Sequence, residues 1–394
     1  MKWWKERIYM DYASATPLLS ESLRAMNAAE EHFANPGAIH EDGVRAKRTL
    51  EDAREAIARE LGAKPRQIVF TSGLTESNNL AILGLVRKLQ LSGKSIGGTH
   101  WIVSAIEHDS VLECFSEVER LGGIVTFIDP SQEGLISPEA ITRTLRPETV
   151  FVSIGWANNE IGVVQPLAHI ARSIEKHTAT SHSIIFHADA GQAPLYISPQ
   201  VHTLGVDMLS LGAGKLYGPR TIGALYVKEP DTLAPMHLGG GQERGLRAGT
   251  EDVVPAVGLA KALKVISEER KDEYVRVQKL RDALLKGLSQ KIPGLVVNGA
   301  IKHMLPHMLN ISIPDISSEY VVLSLDREGI AISTKSACRS GERSSHVVQA
   351  LGGPSWRSEN TLRFSLGRST TDKDIWRASE TLERSLKAYL KPET

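Results

Sequence analysis

The chain predicts an α/β fold with a large domain on a mostly parallel seven-stranded sheet and a smaller α+β domain. Three observations predict it. Between residues 67 and 227, short apolar runs alternate with stretches of helical periodicity, the pattern of a parallel sheet covered on both faces. Several of those runs end in Gly, Ser, Thr or Asp, the residue types that line a ligand crevice at strand ends. After Gly239-Gly240-Gly241 the texture changes to a long charged helical stretch, followed by a few short strands. Residues 15–260 are therefore assigned to the large domain, and residues 1–14 with 261–394 to the small one.

Ile8-Tyr9-Met10-Asp11-Tyr12 reads as a short strand, expected to pack on the second domain. Thr16-Pro17 reads as N-cap and first residue of a helix running to about Phe33, broken by Asn35-Pro36-Gly37. Ala46, Leu50, Ala53, Ile57 and Leu61 recur at helical spacing over 43–61, with Gly62 at the stop position. Gln67-Ile68-Val69-Phe70 is a buried strand, then the Ser/Thr/Gly turn at 71–77 opens a helix through Leu89. Such a turn offers backbone N–H groups to an anion, although taken alone it reads better as ordinary helix capping. Further strands are predicted at 101–105, 124–128, 150–154, 183–187, 206–210 and 222–227, with helices near 109–121, 137–145 and 166–178. The second domain is given a helix over 253–290 and strands near 308–313, 330–333 and 361–365. Its other helices are placed near 317–328, 344–351 and 371–390.

The 394 residues carry zero formal net charge and no like-charge block, which argues against nucleic acid or an anionic membrane as partner. No apolar run approaches the roughly 20 residues that span a bilayer. The first residues are charged and lack the apolar stretch of a secretory signal. With only Cys114 and Cys338, a disulfide framework and a Cys-x-x-Cys zinc site are both excluded, and a cytoplasmic location is expected. No metal is expected.

The candidate chemistry centres on Lys215, which follows the apolar run 206–211 and stands among Gly212, Gly214 and Gly218. Gly212-Ala213-Gly214-Lys215 imitates part of a phosphate-cradling NTPase loop. Leu209 and Leu216 occupy the positions that need Gly and Ser or Thr, so that reading fails. Asp189 follows a second apolar run, 183–186. A lysine that forms an imine and an aspartate that pairs with a pyridine nitrogen are the two protein groups that pyridoxal 5'-phosphate (PLP) requires.

With these residues the chain resembles the cysteine desulfurases, PLP enzymes of the class V aminotransferase family with the type I PLP-dependent transferase fold. The matching blocks run in order over nearly the whole length. They include Phe70-Thr71-Ser72-Gly73-Leu74-Thr75-Glu76-Ser77, Glu107-His108, Asn158-Asn159-Glu160-Ile161-Gly162, His187-Ala188-Asp189, Lys215-Leu216-Tyr217-Gly218-Pro219, Arg247-Ala248-Gly249-Thr250, Ser336-Ala337-Cys338 and Arg363-Phe364-Ser365.

The resemblance implies Lys215 as the Schiff-base lysine that also moves protons at the substrate α-carbon. It implies Asp189 as partner of the pyridine nitrogen, and His108 stacked on the ring. Asn159 and Gln192 would lie near the phenolic oxygen, with Asn159 also toward substrate. Thr75 would bind the phosphate, and Thr250 would reach it across the interface of a homodimer. Arg363, assisted by Asn35, would clamp the carboxylate of the substrate L-cysteine. Cys338, in a polar stretch between Lys335 and Arg339, would take the sulfur as a persulfide and hand it to an acceptor protein, either an Fe–S scaffold or a tRNA-thiolation protein. Cys114, in an apolar helical pattern, fits an inert buried thiol.

Two departures stand out. The family usually has Ser-x-His-Lys where this chain has Gly212-Ala213-Gly214-Lys215, which removes two side-chain phosphate donors. Lys335 replaces a usual glycine. Weaker PLP retention is expected unless backbone N–H groups or water substitute. The alternatives are another class V PLP enzyme, a selenocysteine lyase or aminotransferase, and a weakened scaffold that binds sulfur-transfer partners.

Overall fold

The structure is a computed structural model describing residues 7–178, 183–335 and 344–390. In chain order it forms β1 (Ile8–Tyr9), α1 (Ser20–Ala29), α2 (Glu41–Leu61), β2 (Ile68–Thr71), α3 (Leu74–Leu91), β3 (His100–Ser104) and α4 (Asp109–Arg120). Next come β4 (Ile124–Ile128), α5 (Pro138–Thr144), β5 (Thr149–Ser153), α6 (Leu167–Thr178), β6 (Ile185–Asp189), α7 (Val201–Leu204), β7 (Met208–Gly212) and β8 (Gly223–Val227). The rest is α8 (Val253–Lys291), β9 (Val296–Val297), β10 (Met308–Ser312), α9 (Ser318–Arg327), β11 (Ile330–Ala331), α10 (His346–Ala350), α11 (Trp356–Glu359), β12 (Thr361–Ser365) and α12 (Asp372–Leu390).

Seven strands form the central sheet in the order β2-β8-β7-β6-β5-β3-β4. β8 is antiparallel to both its neighbours, and every other pairing is parallel. The interior strands are unbroken apolar or small runs because helices cover both faces; all five residues of β3, β7 and β8 are buried. β4 ends the order, and Ile124 and Phe127 there are exposed. Parallel strands direct their C-terminal ends to one side. The connections after β3, β5, β6 and β7 therefore meet at one rim, where α/β sheets hold ligands.

A three-stranded antiparallel sheet, β12-β10-β9, lies apart, and β1 pairs in parallel with β11. Asp11 bridges to Ser365 at the end of β12, so the N-terminal segment joins the C-terminal sheet elements. α8 runs unbroken through positions 260 and 261. Its early part meets α1, where Ser22 donates to the Gly258 carbonyl at 3.0 Å, and its late part meets α12, where Gly287 lies beside Ser379.

The structure corrects some boundaries. α1 begins at Ser20 rather than after Thr16, and ends at Ala29. Thr16 caps no helix: its hydroxyl donates to the Gly214 carbonyl at 3.1 Å and accepts from Tyr217 N–H at 2.7 Å. A tertiary tie has taken the side chain that local pattern assigned to a cap. β6 and β7 start two residues later than the apolar runs, at Ile185 and Met208. β9 and α11 have two and four residues, too short to leave a periodic trace in the sequence.

Candidate active site

Lys215 closes a single tight turn after β7. Its Nζ donates to the carbonyls of Ala13 at 2.9 Å and Ser14 at 2.5 Å. The segment carrying those carbonyls is fastened to the lysine turn by Thr16. Gly212 has no room for a side chain: an added Cβ would lie 2.8 Å from Leu74 Cβ and 3.2 Å from Leu74 N. The chain after β7 thus passes directly against the first turn of α3, which begins at Gly73-Leu74. Gly73 takes φ 152° and contributes no side-chain cap, leaving the first-turn N–H groups to other acceptors.

Asp189 is the last residue of β6. Its Oδ1 accepts from Gly191 N–H at 2.8 Å and its Oδ2 from Asn78 Nδ2 at 2.7 Å. His108 caps α4, its Nδ1 accepting from Ser110 N–H at 3.1 Å. Glu107 is buried and accepts from Gly155 N–H at 2.7 Å. Burial pushes its carboxyl up to about 8; the Asp189 charge adds to the shift and the Gly155 N–H opposes it.

Arg363 projects from β12 and is 1% exposed. It donates to the Asn159 carbonyl at 2.9 Å, Asp11 Oδ1 at 2.8 Å and Ser14 Oγ at 2.7 Å, while its Nε has no hydrogen-bond partner among the described residues. Gln192 Nε2 donates to the Ala13 carbonyl at 2.9 Å.

These groups face one cavity of about 260 Å³. Thr75, His108, Asn159, Asp189, Gln192, Lys215 and Arg363 all line it. Asn35 and Thr250 do not: both are exposed, and Asn35 Oδ1 accepts from the nearby Gly37 N–H at 2.8 Å. Cys338 lies outside the described residues. Lys335 is buried, and its neighbour Ser333 donates to the Lys335 carbonyl. Cys114 is buried, and burial pushes its thiol up to about 12, so it is no nucleophile.

The donor set fits PLP. The cavity brings together a lysine amine, a buried carboxylate fixed by two donors, an imidazole on a helix cap and a helix start whose cap residue has no side chain. The guanidinium nitrogen without a partner suits an added carboxylate.

Sequence reasoning missed Asn78, Ser110, Thr16 and Asp11 as parts of this site. Asn78 left one trace, an amide three positions after Thr75 in a helix otherwise apolar on that side. Thr16 meets Gly214 198 positions on and Asp11 meets Arg363 352 positions on, and neither meeting left a trace.

Known proteins share this sequence pattern and fold. The sequence profile of the family Aminotransferase class-V matches residues 8–377. The chain is 39% identical over 382 residues to "Cysteine desulfurase IscS" of Dictyoglomus turgidum, covering 96% of this chain and 94% of that one. Among solved structures, a "NifS-like protein" superposes with TM-score 0.89 at 30% identity, over 97% of this chain and all (100%) of the other. "SspA in complex with cysteine" superposes with TM-score 0.79 at 35% identity, over 91% and 98%. With the profile spanning nearly the whole fold, this chain belongs to the class-V aminotransferase family.

Proposed function

We propose that the protein is a PLP-dependent cysteine desulfurase that converts L-cysteine to L-alanine and leaves the sulfur as a persulfide on Cys338. The observation that carries the reading is the convergence of Lys215, Asp189 and Arg363 on one cavity. When bound, PLP supplies an electron sink for charge that develops at the substrate α-carbon. Asp189, fixed by Gly191 and Asn78, keeps a carboxylate against the pyridine nitrogen. Lys215 anchors the cofactor and takes up and returns the α-proton. Arg363 orients the substrate carboxylate through a planar guanidinium already braced by Asp11 and the Asn159 carbonyl. In the net reaction the C–S bond of cysteine breaks, a proton replaces sulfur on carbon, and the Cys338 thiol gains one sulfur atom.

Thr75 and the first-turn N–H groups of α3 would hold the phosphate, which would compensate in part for Gly212 and Gly214. The exposed Thr250 belongs, on this reading, to the site of a second copy in a homodimer, and Asn35 assists Arg363 on the substrate side. The large domain ends within α8, and the small one combines β1 with the C-terminal sheet. An Fe–S scaffold or tRNA-thiolation protein in the cytoplasm accepts the sulfur. None of the helices among the described residues is long and apolar enough to cross a membrane.

The test is a visible spectrum of the purified protein, followed by addition of L-cysteine and assay of alanine and sulfide. Wild type shows the cofactor band and forms both products. Lys215→Ala loses turnover, and Cys338→Ala keeps the band but releases no sulfide. Full sulfide release by Cys338→Ala removes that residue as nucleophile. A colourless protein that cannot be reconstituted with PLP removes the enzyme reading altogether.

A further inference from the structure

A buried chain of hydrogen bonds links Asp189 and His108, two groups that line the cavity. Asn78, on α3, is fully buried, and its Nδ2 stands 2.7 Å from Asp189 Oδ2 and 2.9 Å from Ser110 Oγ. Ser110 Oγ is in turn 2.9 Å from His108 Nδ1. One amide nitrogen carries two hydrogens, and each has an acceptor here. The amide cannot be turned over, because its oxygen would then face the Asp189 carboxylate. Asn78 Oδ1 finds no partner among the described residues, so the orientation is set by the donor side alone.

Since Ser110 Oγ accepts from Asn78, its own hydrogen is available to His108 Nδ1. The backbone N–H of Ser110 points at the same nitrogen at 3.1 Å. Nδ1 is therefore an acceptor twice over, and the imidazole proton resides on Nε2.

We infer that Asn78 and Ser110 are positioning residues that lock the Asp189 carboxylate and the His108 tautomer to one another through Asn78 Nδ2. The inference rests on the PLP reading above and adds to it a coupling between pyridine partner and stacking imidazole. Loss of either member loosens both ends: without the Ser110 hydroxyl, one hydrogen of Asn78 is stranded in a buried site and His108 Nδ1 keeps only the backbone N–H, and without Asn78 the hydroxyl is no longer obliged to donate to His108.

The experiment is a double-mutant cycle on PLP affinity, measured by titrating cofactor into wild type, Asn78→Ala, Ser110→Ala and the double variant. Thermal unfolding of each cofactor-free protein is run alongside. Asn78→Ala and Ser110→Ala each weaken PLP binding about threefold to tenfold, and the double variant is no weaker than Asn78→Ala alone. Ser110→Thr, which keeps the hydroxyl, restores wild-type affinity. Nitrogen NMR of the His108 ring gives the second readout. Wild type shows the Nε2–H form alone, and in the double variant, where only the backbone N–H of residue 110 still donates to Nδ1, the Nδ1 signal moves toward that of a less hydrogen-bonded acceptor nitrogen.

Strictly additive losses, or an Nδ1–H ring in wild type, overturn the inference and leave the PLP reading standing. Losses in unfolding temperature with unchanged PLP affinity overturn it too, since they mark a purely structural role. Wild type that binds no PLP overturns the reading beneath it.

Discussion

At the scale of single residues, the lysine turn shows why a departure from a family pattern is not simply a loss. Leu74 occupies the space above Gly191 and Gly212; its Cδ2 would be 2.6 Å from a Cβ at Gly191, and its own Cβ 2.8 Å from one at Gly212. Gly212→Ser alone therefore overpacks the turn, at a cost of about 1–3 kcal/mol. Combined with Leu74→Gly, which removes the Cβ that stands nearest, it finds room, so the double variant loses less unfolding temperature than the single losses added together, and PLP titration shows tighter binding than in Gly212→Ser. Additive losses would mean the two positions do not share space. At Gly214 the nearest atom to an added Cβ is Arg220 Cγ at 3.4 Å, an ordinary contact, so a side chain fits there. Glu107 makes the second residue-scale prediction. Its folded pKa of about 8 lies above the usual carboxyl value, so the folded state binds more protons between the two and stability falls as pH rises through that window. Glu107→Gln keeps an acceptor for Gly155 N–H but carries no charge. It should raise the melting temperature relative to wild type at about pH 8.5 and lose that advantage by about pH 4.5. An advantage independent of pH would count against a protonated carboxyl.

At the scale of elements, one buried ion pair fastens the connection before α8. Arg54 of α2 donates to both oxygens of Glu243 at 2.7 Å, and Glu243 also accepts from Phe70 N–H of β2 at 2.8 Å. The connection needs fastening, because Glu243 and Arg244 both take left-handed backbone with φ of 46° and 58°, strained for residues with side chains. Glu243→Ala leaves a buried guanidinium without its main partner and is expected to destabilise by about 3–5 kcal/mol in denaturant unfolding. It should also weaken PLP binding if this connection presents Thr250 to a second copy; unchanged affinity would detach Thr250 from the cofactor. The same elements explain what was legible in the sequence. Long amphipathic helices such as α2 and continuous apolar strands such as β7 were readable because their periodicity is local. Lys215 and Asp189 were readable because each follows such a strand. The Arg54–Glu243 pair and the hold of Thr16 on the lysine turn join residues 189 and 198 positions apart, and no local pattern encodes such a meeting. The Asn78–Ser110 link, at 32, has the same character: two helices must pack before the amide meets the hydroxyl.

For the whole molecule, the buried titratable groups set how stability depends on pH. His187 has no exposure and spans the sheet, its Nδ1 2.9 Å from Ser153 Oγ and its Nε2 2.9 Å from Ser210 Oγ, joining β5, β6 and β7. Burial lowers it to about 3. His307, equally buried against Tyr196, is lowered to about 3 by burial, helped by the charges of Arg363 and Arg281. A base whose folded pKa lies below its unfolded one binds fewer protons folded than unfolded across the interval. Each imidazole therefore contributes stability that is complete above about pH 6.5 and is lost as pH falls toward 3. Glu107 works the other way, gaining stability as pH falls from about 8. Between about pH 8 and 6.5 the carboxyl acts alone and stability rises on acidification; below about 6.5 three imidazoles, those of His187, His307 and the buried His100 that is lowered to about 4, outweigh it and stability declines. Melting temperatures across this range should pass through a maximum near pH 6.5. His187→Gln, which cannot take up a proton, should flatten the acid limb even if it lowers the plateau, because it removes one of the three imidazole protons that drive the decline. A wild-type profile still rising below pH 5, or an acid limb equally steep in His187→Gln, would show that these histidines do not control acid unfolding.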